Sequence, residues 1–299
     1  MNRHRTSRTT PGRGQMAEAG DDHGFWYDPR LPFIETRTVR DGRRYCFDPH
    51  SHETFSIGII LGGGCTYLNT RRREQVARGA VTIMNPGEVH ACNPVGEASW
   101  SYHMVYVDAG WLAGLQRQNG ATVGADFAAY GKTMSADPQL FAALGGLHEA
   151  LSDPTADRLA KESAAVACLG GIDAILSASP APRPVDDARL RRAADYIADH
   201  WAEQIALDDL CRASGLSPSH LIRSFGKRYG LTPHAYLIDR RVQVARGLIR
   251  RGRSILDAAL ETRFFDQAHF HRAFKRATAI TPGEYARWVT PFPRQGSRH

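Results

Sequence analysis

The sequence predicts an α+β protein of two domains: an N-terminal β-barrel with trailing helices, and a C-terminal all-α domain with two helix-turn-helix units. Three observations predict it. From about residue 30 to 110 the apolar residues alternate (Phe55, Ile57, Ile59 and Leu61; Val81 and Ile83; Tyr102, Met104 and Tyr106), with Gly62-Gly63-Gly64 and Asn85-Pro86-Gly87 as breaks. That is the pattern of short antiparallel strands in a small sandwich or barrel. Ser177-Ala178-Ser179-Pro180-Ala181-Pro182-Arg183-Pro184 then interrupts the chain with three prolines and no apolar anchor, as a linker does. Beyond it one pattern occurs twice, at a constant offset of 49 residues from Ser217 and Asp266 to Pro233 and Pro282. The expected boundaries are a polar tail at 1–25, the barrel and its helices at 26–178, the linker at 179–186 and the repeated segment at 187–290.

In the tail, Arg3, Arg5, Arg8 and Arg13 precede no apolar run, so it does not read as a secretory signal. Apolar stretches such as Ile57 to Leu61 fall far short of the roughly 20 residues that cross a bilayer. The expectation is a cytoplasmic protein with no membrane partner. Five cysteines (Cys46, Cys65, Cys92, Cys168 and Cys211) form no C-x-x-C pair, which argues against a disulfide framework and a zinc finger.

After the strands, Asp137-Pro138 opens a helix carrying Leu140, Leu144, Leu147 and Leu151. Leu159, Val166, Leu169, Ile172, Ile175 and Leu176 mark a second. The Ala-rich, Gly-containing face of this second helix permits close packing, either on the barrel or in a homodimer. The charge is uneven. Residues 186–299 hold 20 Lys and Arg against 12 Asp and Glu, while the whole chain is only +7. A basic segment beside a near-neutral one suggests a polyanion partner for one half.

Each repeat reads as a short helix, a tight turn and a second helix with a basic outer face, the build of a DNA reader. Ser217-Pro218, Thr232-Pro233 and Thr281-Pro282 supply N-caps followed by proline, Glu284 completes a capping box, and Ser254 with Asp257 caps another helix. Between the units, Ile238, Val242, Ala245 and Ile249 form the buried stripe of a long helix that Gly252 can end. In the second helices Leu221 and Phe225, and Phe270 and Phe274, point inward. Ile222 and Arg223, and His271 and Arg272, follow the first anchors outward. Ser219 and Gln267 stand near the helix starts, where side chains reach base edges, and Arg suits guanine as Gln suits adenine. Lys227, Arg228, Lys275 and Arg276 at the far ends suit phosphates, which give affinity without sequence information. His220 and His269 read as structural.

These stretches carry a resemblance. Ala213-Ser214-Gly215-Leu216-Ser217-Pro218-Ser219-His220-Leu221, Gly230-Leu231-Thr232-Pro233, and Phe264-Phe265-Asp266-Gln267-Ala268-His269-Phe270-His271-Arg272-Ala273-Phe274-Lys275-Arg276 with Thr281-Pro282-Gly283-Glu284-Tyr285 resemble the C-terminal domain of the AraC/XylS family of bacterial transcription regulators. The resemblance implies a seven-helix domain whose two second helices enter adjacent major-groove segments of double-stranded promoter DNA. It also implies RNA polymerase as a partner. Three positions depart from the family's pattern: Arg263 and Ala279 replace usual glycines, and Ala206 replaces a usual Ser or Thr cap. If its turn needs positive φ, Arg263 costs roughly 1 kcal/mol relative to Gly, and the second unit is the less rigid reader.

In the N-terminal half, His50-Ser51-His52, expected on a strand with both rings to one side, precedes Asn85-Pro86-Gly87-Glu88-Val89-His90. This resembles the cupin barrel that serves as a sensor in the same family. Cupin enzymes hold a metal with such histidines and a later Glu; here Glu53 directly follows His52, and Ser56 or Ile57 stands at the later position. The expectation is a small-molecule effector pocket at His50, His52, Tyr67, His90 and Tyr102, with Asn69 and Tyr106 as further candidates. No metal, cofactor or catalytic residue is expected. The combined reading is a ligand-controlled, DNA-binding transcription regulator of the activating kind. The alternative is a metal-dependent cupin enzyme fused to a DNA-binding domain.

Overall fold

The computed structural model describes residues 23–70, 72–121, 124–176 and 187–289. The linker expected at 179–186 lies outside the described residues. Among the described residues nine strands build the first half: β1 (His23–Tyr27), β2 (Ile34–Val39), β3 (Phe55–Gly62), β4 (Gly64–Asn69), β5 (Arg72–Ala77), β6 (Val81–Met84), β7 (His90–Pro94), β8 (Ser101–Val107) and β9 (Met134–Ser135). They form two antiparallel sheets, one in the order β1-β2-β8-β3-β6-β9 and one in the order β5-β4-β7. β1 begins inside the stretch expected to be tail, because Phe25 and Trp26 are both buried, on opposite faces of the strand.

Alternation along β3 explains the layering. Phe55, Ile57 and Ile59 face outward onto three helices, α1 (Ala109–Gln118), α2 (Pro138–Ser152) and α3 (Arg158–Leu176). Leu140, Leu144, Leu147 and Leu151 of α2, and Leu169, Ile172 and Leu176 of α3, complete that core. Ile60 faces the other way, into a core between the sheets with Cys65, Tyr67, Met84, Trp100 and Met104. Asp137 caps α2 by accepting from the backbone N–H groups of Gln139 and Leu140, with Pro138 at the first helical position.

Seven helices follow among the described residues: α4 (Asp187–Asp199), α5 (Leu207–Ser214), α6 (Pro218–Tyr229), α7 (Pro233–Arg250), α8 (Ile255–Glu261), α9 (Gln267–Thr278) and α10 (Pro282–Val289). α5 and α6 form the first helix-turn-helix, α8 and α9 the second, and α7 runs between them. Leu190, Ile197, Leu210, Leu221, Phe225 and Leu237 fill the first unit's core. Val242, Ala245, Ile249, Phe270, Phe274, Tyr285 and Val289 fill the second, and Phe25 of β1 packs into it. No helix among the described residues is long and apolar enough to cross a membrane.

The turns differ as the departing residues imply. Gly215 ends α5 at φ 68°, which glycine adopts freely. The equivalent turn places Arg263 at φ 59°, and Ala279 ends α9 at φ 58°. Ala206 starts α5 without a side-chain cap, although its N–H donates to the Asp209 carboxylate at 2.7 Å. Ser217 occupies the N-cap of α6 but makes no capping bond. Thr232 accepts from Ala235 N–H, Ser254 from Asp257 N–H and Thr281 from Glu284 N–H, while Glu284 returns the bond to Thr281 N–H.

Candidate functional site

A cavity between the sheets is lined by His50, His52, His90, Tyr102, Tyr106 and Trp100, among others. His50 and His52 lie not on a strand but on the loop before β3, where His50 forms an isolated antiparallel bridge with His90. That bridge and the short loop bring all three rings together, with centroids 4.6 Å apart between His50 and His90 and between His52 and His90. Burial holds His50 and His52 well below the ordinary imidazole range, helped by the neighbouring His90, and lowers His90 to about 4. All three are therefore neutral at pH 7. Of the other expected pocket residues, Tyr102 lines the cavity, but Tyr67 does not. Its hydroxyl donates to the Ile83 carbonyl at 2.7 Å and accepts from Asn69, which builds it into the core.

The loop carrying two of these histidines is also the loop that α7 grips. Ser51 N–H and Oγ donate to the Asp239 carboxylate at 3.1 and 2.5 Å, and Gln243 donates to the Ser51 carbonyl at 2.6 Å. Glu53 pairs with Arg240. Burial raises Asp239 to about 6, against the lowering effect of its bonds from Ser51 and Gln243. Nearby, Arg246 and Arg250 of α7 face the buried Glu35 of β2 at 3.4 and 3.6 Å. The far end of α9 is held as well: Asp48 N–H donates to the Arg276 carbonyl at 3.1 Å, and Arg37 Nη1 to the Thr278 carbonyl at 3.0 Å. The first unit meets the strands at Gly230, at φ 75°, where a Cβ would stand 3.3 Å from Val89 and 3.4 Å from the Thr70 carbonyl.

A second cavity lies at this junction, lined by Phe25, Arg37, Phe47, Arg246, Tyr285 and Trp288, and it shares Phe47, His50, His52 and Tyr106 with the first. Arg37 is only 5% exposed, and its Nε and Nη2 groups have no hydrogen-bond partner among the described residues. Sequence reasoning missed this junction. Its signal was present as a polar stripe on α7, Asp239, Gln243, Arg246 and Arg250 at i, i+4, i+7 and i+11. On β2 the signal was the buried polar run Glu35, Thr36 and Arg37.

On the outer face, Ser219, Ile222, Arg223 and Lys227 of α6 are exposed, as are Gln267, Arg272, Lys275 and Arg276 of α9. Two expected DNA contacts sit differently. Arg228 is half-buried with its guanidinium over the Tyr229 ring. His271 is half-buried, edge-on to Phe270, with Nε2 enclosed and without a hydrogen-bond partner among the described residues, whereas Ile222 at the equivalent position of α6 is exposed. Phe265, at the entry to α9, is 94% exposed and was not among the expected contacts.

A ligand-binding strand domain clamped onto a tandem helix-turn-helix domain defines a DNA-binding transcription regulator. Comparison with known proteins places it more narrowly. The AraC-like ligand binding domain matches residues 32–167, and a helix-turn-helix domain matches residues 210–287. An uncharacterized HTH-type transcriptional regulator of Bacillus subtilis, YbfI, is 28% identical over 75% of this chain and 81% of its own length. The HTH-type transcriptional activator RhaS of an Enterobacter species is 34% identical over 33% of this chain and 36% of its own. Unsaturated fatty acid-bound ToxT of Vibrio cholerae shares the fold, with a TM-score of 0.54 at 12% identity over 92% of this chain and 98% of that one. The chain belongs to the AraC/XylS family of transcriptional regulators.

Proposed function

We propose that this regulator is controlled by a small organic anion with an apolar body, bound where the strand domain meets the DNA-binding domain. The observation that carries this reading is Arg37, a buried cation with two N–H groups unpartnered among the described residues, in a cavity walled by Phe25, Phe47, Tyr285 and Trp288. A carboxylate satisfies such a guanidinium bidentately, and the aromatic walls take the apolar remainder. ToxT, with the same fold, has been crystallised with an unsaturated fatty acid. The barrel, at 26–178, binds its effector without turning it over, and the domain at 187–290 reads promoter DNA.

On this reading Ser219, Ile222, Arg223, Gln267 and Arg272 meet bases, and Lys227, Arg228, Lys275 and Arg276 meet phosphates, with His271 at the edge of the contact. Activation through RNA polymerase is the proposed mode, supported by the family resemblance and by the likeness to the activator RhaS. The outer face of α3, with Leu159 and Val166 exposed, is the proposed homodimer contact. The protein acts in the cytoplasm.

Thermal denaturation of the full chain tests the effector class. A panel of aromatic and fatty acids is compared with the matching amides. Acids raise Tm of the wild type, while amides do not, and Arg37→Gln does not respond to either. Equal responses to acids and amides, or an unchanged response in Arg37→Gln, would show that the anion reading is wrong.

A further inference from the structure

We infer that Phe265 is a DNA contact, reading the 5-methyl group of a thymine at the edge of the major-groove segment that α9 enters. The inference rests on the reading of α9 as a base-reading helix. Phe265 is 94% exposed. A single apolar residue in solvent calls for no explanation by itself. This one is marked out by how the chain places it and by where it stands.

The two helix-turn-helix units match residue by residue except at one point. The Ser214 hydroxyl at the end of α5 donates to the Leu210 carbonyl at 2.7 Å, and the Thr262 hydroxyl, 48 positions later, donates to the Ala258 carbonyl at 2.5 Å. Both residues are wholly buried. Gly215 and Arg263 follow in the left-handed region, and then Leu216 and Phe264, which pack against the cores of their units. Past the turn the spacing is 49. Ser217 and Asp266 stand at the N-caps, and their carbonyls accept from the N–H groups of Leu221 and Phe270 at 2.8 and 3.1 Å. The second turn therefore holds one residue more than the first, and that residue is Phe265. Phe264 fills the apolar role of the turn, with its ring 5.1 Å from that of Phe270. Phe265 is left with no part in the core.

Its position selects the partner. Asp266 caps α9 by accepting from the His269 N–H at 2.6 Å, so Phe265 immediately precedes the first turn of that helix. A recognition helix meets base edges with its N-terminal residues. The same helix exposes Arg272, Lys275 and Arg276, which fit a polyanion. A phenyl ring has no hydrogen-bond donor or acceptor with which to read the polar edge of a base pair. The apolar group on that edge is the thymine methyl, which Phe can contact.

The test measures binding of the full chain to a duplex carrying both blocks selected from random DNA. Each thymine of the second block is replaced in turn by deoxyuridine, which lacks only the methyl group. At one of them wild-type affinity falls about 4-fold, the contribution of one buried methyl group. Phe265→Ala binds the thymine duplex about 4- to 10-fold more weakly than wild type and no longer distinguishes thymine from deoxyuridine there. Phe265→Leu, still apolar, keeps the distinction. Because the side chain lies in solvent, both variants keep the wild-type denaturant midpoint, and deoxyuridine in the first block affects all three proteins alike. Wild-type indifference to deoxyuridine at every thymine of the second block overturns the inference. So does Phe265→Ala that still distinguishes the two bases, or unchanged DNA binding with lost promoter activation, which assigns Phe265 to a protein partner. Gln267→Ala and Arg272→Ala separate these failures from failure of the underlying reading. If both still weaken the second block, Phe265 alone is misassigned; if neither does, α9 reads no bases and the inference falls with it.

Discussion

Arg263 and Ala279 occupy equivalent left-handed positions, at φ 59° and 58°, but their consequences differ. An L-residue there costs about 1 kcal/mol relative to glycine. Ala279 is buried and has only its methyl group to offer, so Ala279→Gly raises stability by up to about 1 kcal/mol, read from the denaturant midpoint; a fall would refute the strain argument. Arg263 has compensation. Its Nε donates to the Ala202 carbonyl at 2.9 Å, and its own carbonyl accepts from Arg241 at 3.3 Å. An exposed bond of this kind contributes about 0.5–1 kcal/mol, so Arg263→Gly is near neutral. The departing residue was legible in the sequence, because a missing glycine in a known turn has a definite cost. Its stitch to the first unit was not, because Ala202 lies 61 positions away.

At the scale of elements, the helix-turn-helix units, α2 and the strand-bearing region were all legible. Apolar period and cap chemistry are local, and these elements obey both. What escaped was pairing between elements. His103 of β8 and His148 of α2 are an example: their rings stack with centroids 3.6 Å apart, and Thr36 and Thr38 of β2 hydrogen-bond to them. Burial lowers His103 to about 3, with His148 adding to the effect, and lowers His148 to about 4. Both rings are thus neutral in the folded chain, while the unfolded chain titrates near 6.5. Between those values the unfolded state binds more protons, so the contribution is fully present above about pH 6.5 and is lost as pH falls toward 4. Thermal melts across that window show falling Tm, and His148→Gln flattens the slope. A Tm that holds constant from pH 7 to pH 4 would contradict the assignment. The histidines of the cavity act with the same sign, so flattening is partial.

For the whole molecule, the strand domain bears unequally on the two readers. The first unit has its own core and meets the strands at Gly230. The second includes Phe25 in its core and has α9 tied at both Arg276 and Thr278. The cavity loop, through Ser51, holds the helix between them. The expected outcome is that DNA reading by α9 depends more strongly on the strand domain than reading by α6, which meets it at Gly230. The direct measurement is selection of bound sequences from random duplex DNA by the full chain and by three variants. Wild type recovers two blocks about one helical turn apart. Arg223→Ala costs about 1–3 kcal/mol at one position of the first block, and Arg272→Ala erodes the second. Phe25→Ala, remote from DNA, erodes the same block as Arg272→Ala and spares the other. Loss from the Arg223 block, or no change in either block, would contradict the dependence of the second reader on the strand domain.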